Sequence, residues 1–471
     1  MRVARLVTLL LTAALAAPAT AAAHSGLTQR QNLPIPEVMF AWAAAAVLML
    51  SFVALAVLWP RPLLETAPWR PLPWGAGRVL GSRVVEVACG AIGVALLALV
   101  IVGGYAGPDA GADNLAPTFI LIVFWVGLVF ASLLFGDVFR AFNPWRAIGR
   151  AFGALLRSRR PAPTPYPDSL GRWPTAVVLV IFTWIELVGR WDSTPRTLAG
   201  AALGYTVITV AAQSVWGTET WSRRGEGFSV YFNLFSRMSV FETRDRVVGV
   251  RPPLGGLPVL DPVPGTVAVV SVMIGTVTFD GLSQGATWSS AAPHLHDLFT
   301  SLGSGPGAAD KLSGTLGLLA CVGLVAGFYW IGIEGARTVG GGMTGRRLRR
   351  AFAHSLVPIA AAYVLAHYLT YLLFDGQRIR YLASDPFGQG WDLFGTSTAG
   401  IDYSLLSQNG AWYLEVAFVV LGHVAALALA HDRALALYRD AKQAVMSQLW
   451  MLGVMIGFTL LALWLLSQAG K

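Results

Sequence analysis

The 471-residue chain predicts an all-α fold: a polytopic integral membrane helical bundle of about ten transmembrane helices behind a cleaved signal peptide. Three observations predict it. Charged residues make up 13% of the chain and the mean hydropathy is +0.60. Soluble domains carry about 25% charged residues, so there is too little polar surface here to cover a water-soluble body of this size. Ten apolar stretches approach the roughly 20 residues that a helix needs to cross a bilayer core. Lys and Arg concentrate in alternate loops between them. This composition excludes a large cytosolic enzyme, a disordered chain and a fibrous one.

Residues 1–23 read as a secretory signal peptide. Arg2 and Arg5 open it, a short apolar centre follows, and Ala21-Ala22-Ala23 supplies the small-residue cleavage site. Residues 24–471 then form a single transmembrane domain. Cleavage makes His24 the N-terminal residue, whose α-amine and imidazole together are a copper-type ligand pair. It is equally the plain first residue after a cleavage site.

The spans are read at 38–59, 84–104, 116–134, 173–188, 197–216, 266–282, 312–335, 355–373, 412–430 and 446–466. With the mature N-terminus outside, the inward loops carry 25 Lys and Arg and the outward segments carry 7. That asymmetry is the positive-inside pattern, and it puts both termini of a cell-membrane protein on the outer side. The formal net charge of +9 therefore encodes orientation and does not call for a nucleic-acid partner. Cys89 and Cys321 lie in apolar runs, so no disulfide framework is expected. Residues 137–160 interleave Phe, Trp and Leu with Arg, which predicts an amphipathic helix on the inner leaflet. Phe142-Asn143 and Phe232-Asn233 hint at a repeat, though two residues are too few to establish one.

Most motif matches are weak. Gly281-Leu282-Ser283-Gln284-Gly285 fits G-x-S-x-G in letters, but it ends an apolar helix and lacks the strand–turn–helix that exposes a nucleophilic serine. Gly340 to Gly345 follows no strand and reads as an inner loop. Neither a P-loop nor H-E-x-x-H occurs. His294-Leu295-His296 has the H-x-H spacing that puts two imidazoles on one side of an extended segment, although a solvated polar loop fits as well.

Ionisable residues inside the spans carry more weight, because a charge in hydrocarbon costs several kcal/mol. Glu186 and Asp280 lie near the outer ends of the fourth and sixth spans. Tyr363, His367, Tyr371 and Asp375 recur every four residues along the eighth. Glu415 and His423 share one side of the ninth. Helical rise puts His367 and Glu415 roughly 10 Å and 5 Å below the outer surface, and His423 about 16 Å below it. The topology thus gathers Glu186, Asp280, His367, Asp375 and Glu415 in the outer half of the membrane, with His294 and His296 above. The competing reading is that these groups are helix–helix hydrogen bonds. His354, His431 and Glu334 sit at inner helix ends, where the structural reading is the stronger.

Several stretches carry a family likeness. They are Leu33-Pro34-Ile35-Pro36, Leu260-Asp261-Pro262-Val263-Pro264-Gly265, Thr278-Phe279-Asp280-Gly281-Leu282-Ser283 and Ala353-His354-Ser355-Leu356-Val357-Pro358. Ala366-His367-Tyr368, Gly422-His423-Val424 and the run from Leu429 through His431-Asp432-Arg433 to Tyr438 complete the set. The chain resembles actinobacterial polytopic membrane proteins commonly labelled fenitrothion hydrolase. The resemblance implies a membrane location and hydrolysis of an organophosphorus ester at its P–O–aryl bond, and it transfers no catalytic residues.

Two functions follow. The first is a membrane-embedded hydrolase of an apolar ester, with Asp280, Glu415 and Glu186 as catalytic carboxylates. A divalent transition metal, zinc or copper, would be held from among His367, His423, His294, His296 and His24, lowering the pKa of a bound water. The alternative is a permease for a metal ion or small solute, using the same residues to bind an ion or carry protons. A scaffold built on the inner aromatic–Arg loops is a third, non-catalytic reading. The expected partners are the lipid bilayer and an apolar small molecule or metal ion.

Overall fold

The computed structural model describes residues 37–155, 163–190, 194–340, 342–438 and 440–468. The expected signal peptide and His24 lie outside them. In chain order the helices are α1 (Glu37–Leu58), α2 (Arg83–Ala106), α3 (Leu115–Phe135), α4 (Pro144–Leu155) and α5 (Trp173–Leu187). Next come α6 (Pro195–Trp216), α7 (Thr218–Arg224), α8 (Gly227–Ser236), α9 (Thr266–Ser283) and α10 (Ala286–Ser301). The last are α11 (Pro306–Thr338), α12 (Gly345–Phe352), α13 (Val357–Leu373), α14 (Gln408–Leu437) and α15 (Ala441–Gln468).

Eight stretches among the described residues are long and apolar enough to cross a membrane. These are α2, α3, α6, α9, α11, the run Gly345–Leu373, α14 and α15. Trp42–Leu58 and α5 are apolar but shorter. All ten expected stretches are therefore helical, eight of them at crossing length. The only sheet among the described residues is small and antiparallel, ordered β1–β3–β2 from β1 (Arg70–Pro71), β2 (Phe241–Arg244) and β3 (Val247–Val250). Phe241 and Arg70 both face Val250 in its register.

Capping and close packing explain the principal elements. Ser82 accepts from the Val85 amide to open α2, and Ser407 accepts from Gly410 to open α14. α9 is central, packed on α5, α11 and α13 and buried along nearly its whole length. Its apolar residues leave no polar face, as expected of a helix surrounded by others. α13 and α14 touch at Gly422, where a Cβ would stand 2.4 Å from the Ala362 Cβ and 2.7 Å from the Pro358 carbonyl. Only a residue without a side chain permits that approach.

Two inner segments depart from expectation. The described part, residues 137–155, forms two helices rather than one: a five-residue helix, Val138–Phe142, ends at Asn143, and α4 then buries Trp145, Arg146 and Gly149. The reason is ionic. Arg146 reaches Glu86 at 2.8 Å and Glu219 at 3.1 Å, and Arg150 bridges the same two carboxylates, so α4 is tied into the bundle. The second departure is α8, a ten-residue helix inside what reads as a loop. Glu226, fully buried, caps it through the Phe228 and Ser229 amides and also accepts from Tyr205 and Asn143. Phe228, Tyr231, Phe232 and Phe235 are buried against α3 and α5. A π-helical stretch of α3, Thr118–Gly127, carries Trp125, which stacks on Tyr231 at 4.4 Å between ring centroids. Such aromatic pairs contribute about 0.5–1.5 kcal/mol each beyond their burial.

Candidate functional site

Asp280 sits one turn before the end of α9, 2% exposed. One of its oxygens, Oδ2, lies 2.9 Å from His367 Nε2 and accepts from the Tyr368 hydroxyl at 2.7 Å. The other, Oδ1, accepts from Gln284 Nε2 at 3.1 Å. Gln284 is four residues on, so it lies on the same side of the helical path as the carboxylate. With Asp280 ionised, His367 donates from Nε2. His367 and Tyr368 are consecutive on α13, with ring planes at 75° and centroids 4.7 Å apart, so two adjacent side chains close on one oxygen. The His367 side chain is 19% exposed against 3% for Asp280, which makes the imidazole the open side of the pair.

Behind this pair lies a second carboxylate. Glu186, near the end of α5 and buried, stands within electrostatic reach of the Tyr368 and Tyr231 hydroxyls. α8 supplies Tyr231, so the unexpected helix forms one wall of the cluster. Two carboxylates, an imidazole and two phenols thus share one buried environment.

Of the other predicted residues, His423 and His296 have partners of their own. Glu415 and His423 are both buried on α14, as their spacing predicts. His423 donates from Nδ1 to the Val419 carbonyl at 2.7 Å, its ring is 6.4 Å from that of Tyr363, and its Nε2 has no hydrogen-bond partner. His294 and His296 do not lie on an extended segment. They belong to α10, where 100° per residue turns neighbours two apart to nearly opposite sides. The H-x-H expectation of a shared ligand face is therefore corrected. His296 instead approaches Asp310 at 2.8 Å. Among the described residues no three His, Cys, Asp or Glu side chains are grouped to hold a metal. His24, the fifth of the expected ligands, lies outside the described residues.

At the end of the bundle that carries the basic loops, the structural reading holds. His354 bonds the Ala351 carbonyl, His431 stands between Gln448 and the Trp59 carbonyl, and Glu334 pairs with Arg337 and Arg349. Asp375 lies beyond α13 in a 3-10 turn, paired with Arg378, and so leaves the stripe that the sequence spacing assigned it. Ser283 donates to the Asp280 carbonyl at the end of a helix, with no strand before it.

Sequence reasoning missed Tyr368, Gln284 and Tyr231. Signals existed for the first two: Tyr368 adjoins His367, and Gln284 is one helical turn from Asp280. Tyr231 lay in an apparent loop. Fold and site together define a multi-helix membrane protein with a buried carboxylate–imidazole–phenol centre. In comparison with known proteins the chain matches no family model, no curated sequence and no solved structure.

Proposed function

We propose that the chain is a ten-span protein of the cell membrane, with both mature termini outside, that couples proton movement to passage of a small solute through the Asp280 centre. The observation that carries this reading is the partner set of Asp280. A carboxylate almost wholly removed from solvent is held by an imidazole and a phenol, groups that can exchange protons with it. Ionisable groups at such a depth mark ion and proton pathways. Protons enter at His367, the open side, and are shared with Asp280. Tyr368 bonds the same oxygen, and Glu186 with Tyr231 continues the array toward α8. Protonation of Asp280 removes the charge that holds His367 and Tyr368, and this provides the two states that alternating access needs. The 25 inward against 7 outward basic residues support the orientation.

The test is reconstitution in liposomes loaded with a pH-sensitive dye, with outward gradients of amino acids, sugars, carboxylates and phosphate applied in turn. At least one class is expected to drive a change of internal pH that Asp280→Asn abolishes. No response to any class overturns the reading.

A hydrolase reading is favoured by one separate observation: a partly open imidazole backed by a buried carboxylate has the arrangement of a general base for water. Release of nitrophenol from an aryl phosphotriester, lost on His367→Ala, would decide for it.

A further inference from the structure

The basic loops line a partly open cavity of about 370 Å³, at the other end of α9 from Asp280. Arg140, Arg146, Arg172, Arg223, Arg224 and Arg237 line it. Three acids share the wall, and two of them are occupied. Glu219 answers Arg146 and Arg150, while Asp137 accepts from the Asn233 amide and the Arg140 backbone; the third is Asp261. The arginines differ in how their charge is met. Arg146 has two carboxylates and Arg224 has Asp168. Arg172 and Arg237, among the described residues, hydrogen-bond only neutral oxygens, with the Asp261 carboxylate near both and those of Asp137 and Glu242 near Arg237. Arg172 donates to the Asp261 carbonyl and the Thr266 hydroxyl, and Arg237 donates to the Asn233 side-chain oxygen and the Gly256 carbonyl.

Arg172 is the centre of the argument. It is 5% exposed, and its Nε has no hydrogen-bond partner. Burial, with Arg237 and Arg224 nearby and Asp261 only partly offsetting them, pulls its pKa down to about 10, and no carboxylate hydrogen-bonds its guanidinium. A second donor on the same wall, the hydroxyl of Ser222, is also buried without a partner. Unmatched buried donors are rare in folded proteins, because each forgoes its bond to water without gaining another.

The wall is rigid. The Arg172 amide donates to the Pro264 carbonyl at 2.8 Å, and Gly265, at φ +82°, lets the proline run pass where a Cβ would stand 2.6 Å from the Trp173 nitrogen. Helices α5 and α9 both begin at this wall, which adds the positive ends of two helix dipoles.

We propose that this cavity binds a phosphate group, carried by a small molecule or by a lipid headgroup. A tetrahedral anion has acceptors facing several directions, as donors on separate elements require, whereas a planar carboxylate matches a single guanidinium. The volume exceeds that of a simple ion and suits a phosphate monoester or headgroup. Bound there, the phosphate takes hydrogen bonds from Arg172 Nε and the Ser222 hydroxyl and neutralises the Arg172–Arg237 pair. This site is independent of the proton-coupled reading.

Calorimetric titration of the full-length protein in neutral detergent with inorganic phosphate tests it, alongside retention of phosphatidic acid in phosphatidylcholine nanodiscs. Binding in the first arm assigns a soluble phosphate, and retention in the second alone assigns a lipid headgroup. Arg172→Gln is expected to weaken binding by roughly tenfold or more, and Ser222→Ala by a few-fold. Size-exclusion profiles check folding. Should Arg172→Gln not fold, Ser222→Ala and the half-exposed Arg224→Gln carry the test. Binding unchanged in the folded variants overturns the proposal, as does the absence of both phosphate binding and phosphatidate retention.

Discussion

Asp280 and Asp432 are both buried aspartates on long apolar helices, at opposite ends of the bundle, and their surroundings differ in kind. Asp432 is fully buried and accepts from Trp59 Nε1 and from the backbone amides of Leu63, Leu64 and Glu65 at 2.6–3.1 Å. Those donors cannot take up or release a proton near neutral pH. The carboxylate is a clamp that fastens the turn after α1 to α14, with Arg433 and Glu65 paired beside it at 2.9 Å. Asp280 has an imidazole, a phenol and an amide in place of backbone N–H groups. Burial alone therefore does not mark a functional carboxylate. The chemistry of its partners does.

Substitutions at the two sites should separate activity from stability. The largest effect is expected from Asp280→Asn, which keeps the shape and most hydrogen bonds but cannot ionise. Solute-driven proton uptake should fall by about 100-fold or more, while the detergent-solubilised protein melts close to the parent. Asp432→Asn comes next and in the opposite sense. Turning an amide NH₂ toward two of four N–H donors should lower stability by roughly 2–4 kcal/mol, read by thermal unfolding, with uptake per folded molecule unchanged. Loss of uptake without loss of stability at Asp432 would erase the distinction. His367→Gln should slow uptake by about tenfold, since Asp280 keeps its other donors but loses its route to the open side. Tyr368→Phe removes one hydrogen bond of about 1 kcal/mol, so a several-fold slowing is expected. The smallest effect belongs to His296→Ala. Its ring meets Asp310 near the surface, where an exposed pair contributes about 0–1 kcal/mol, and uptake should not change.

Several site residues were legible in the sequence for a simple reason. An acid or histidine in a 13%-charged chain is conspicuous, and Asp280, Glu186, Glu415, His367 and His423 are all buried or partly buried in the helices where the apolar runs place them. Their pairing was not legible. Asp280 and His367 are 87 residues apart, and nothing in either helix alone says that they meet while His423 turns to its own backbone. The H-x-H reading failed because the segment's backbone state decides the geometry: a strand aligns residues two apart, and a helix separates them. α8 stayed hidden because ten residues are too few to register as a span, although Glu226 before an apolar run is a capping signal.

The sequence by itself determined where the apolar helices lie, which loops are basic and which few polar residues are buried with the helices. Hydropathy and charge are local properties summed along the chain, and a bilayer reads them one segment at a time. Only the tertiary structure decided that Tyr368 joins His367 on one carboxylate, that α8 brings Tyr231 near the same centre, and that Arg172, with one buried donor unmatched, lines a cavity. Each of those facts depends on the packing of elements distant in sequence, where the position of one side chain is set by helices it does not belong to.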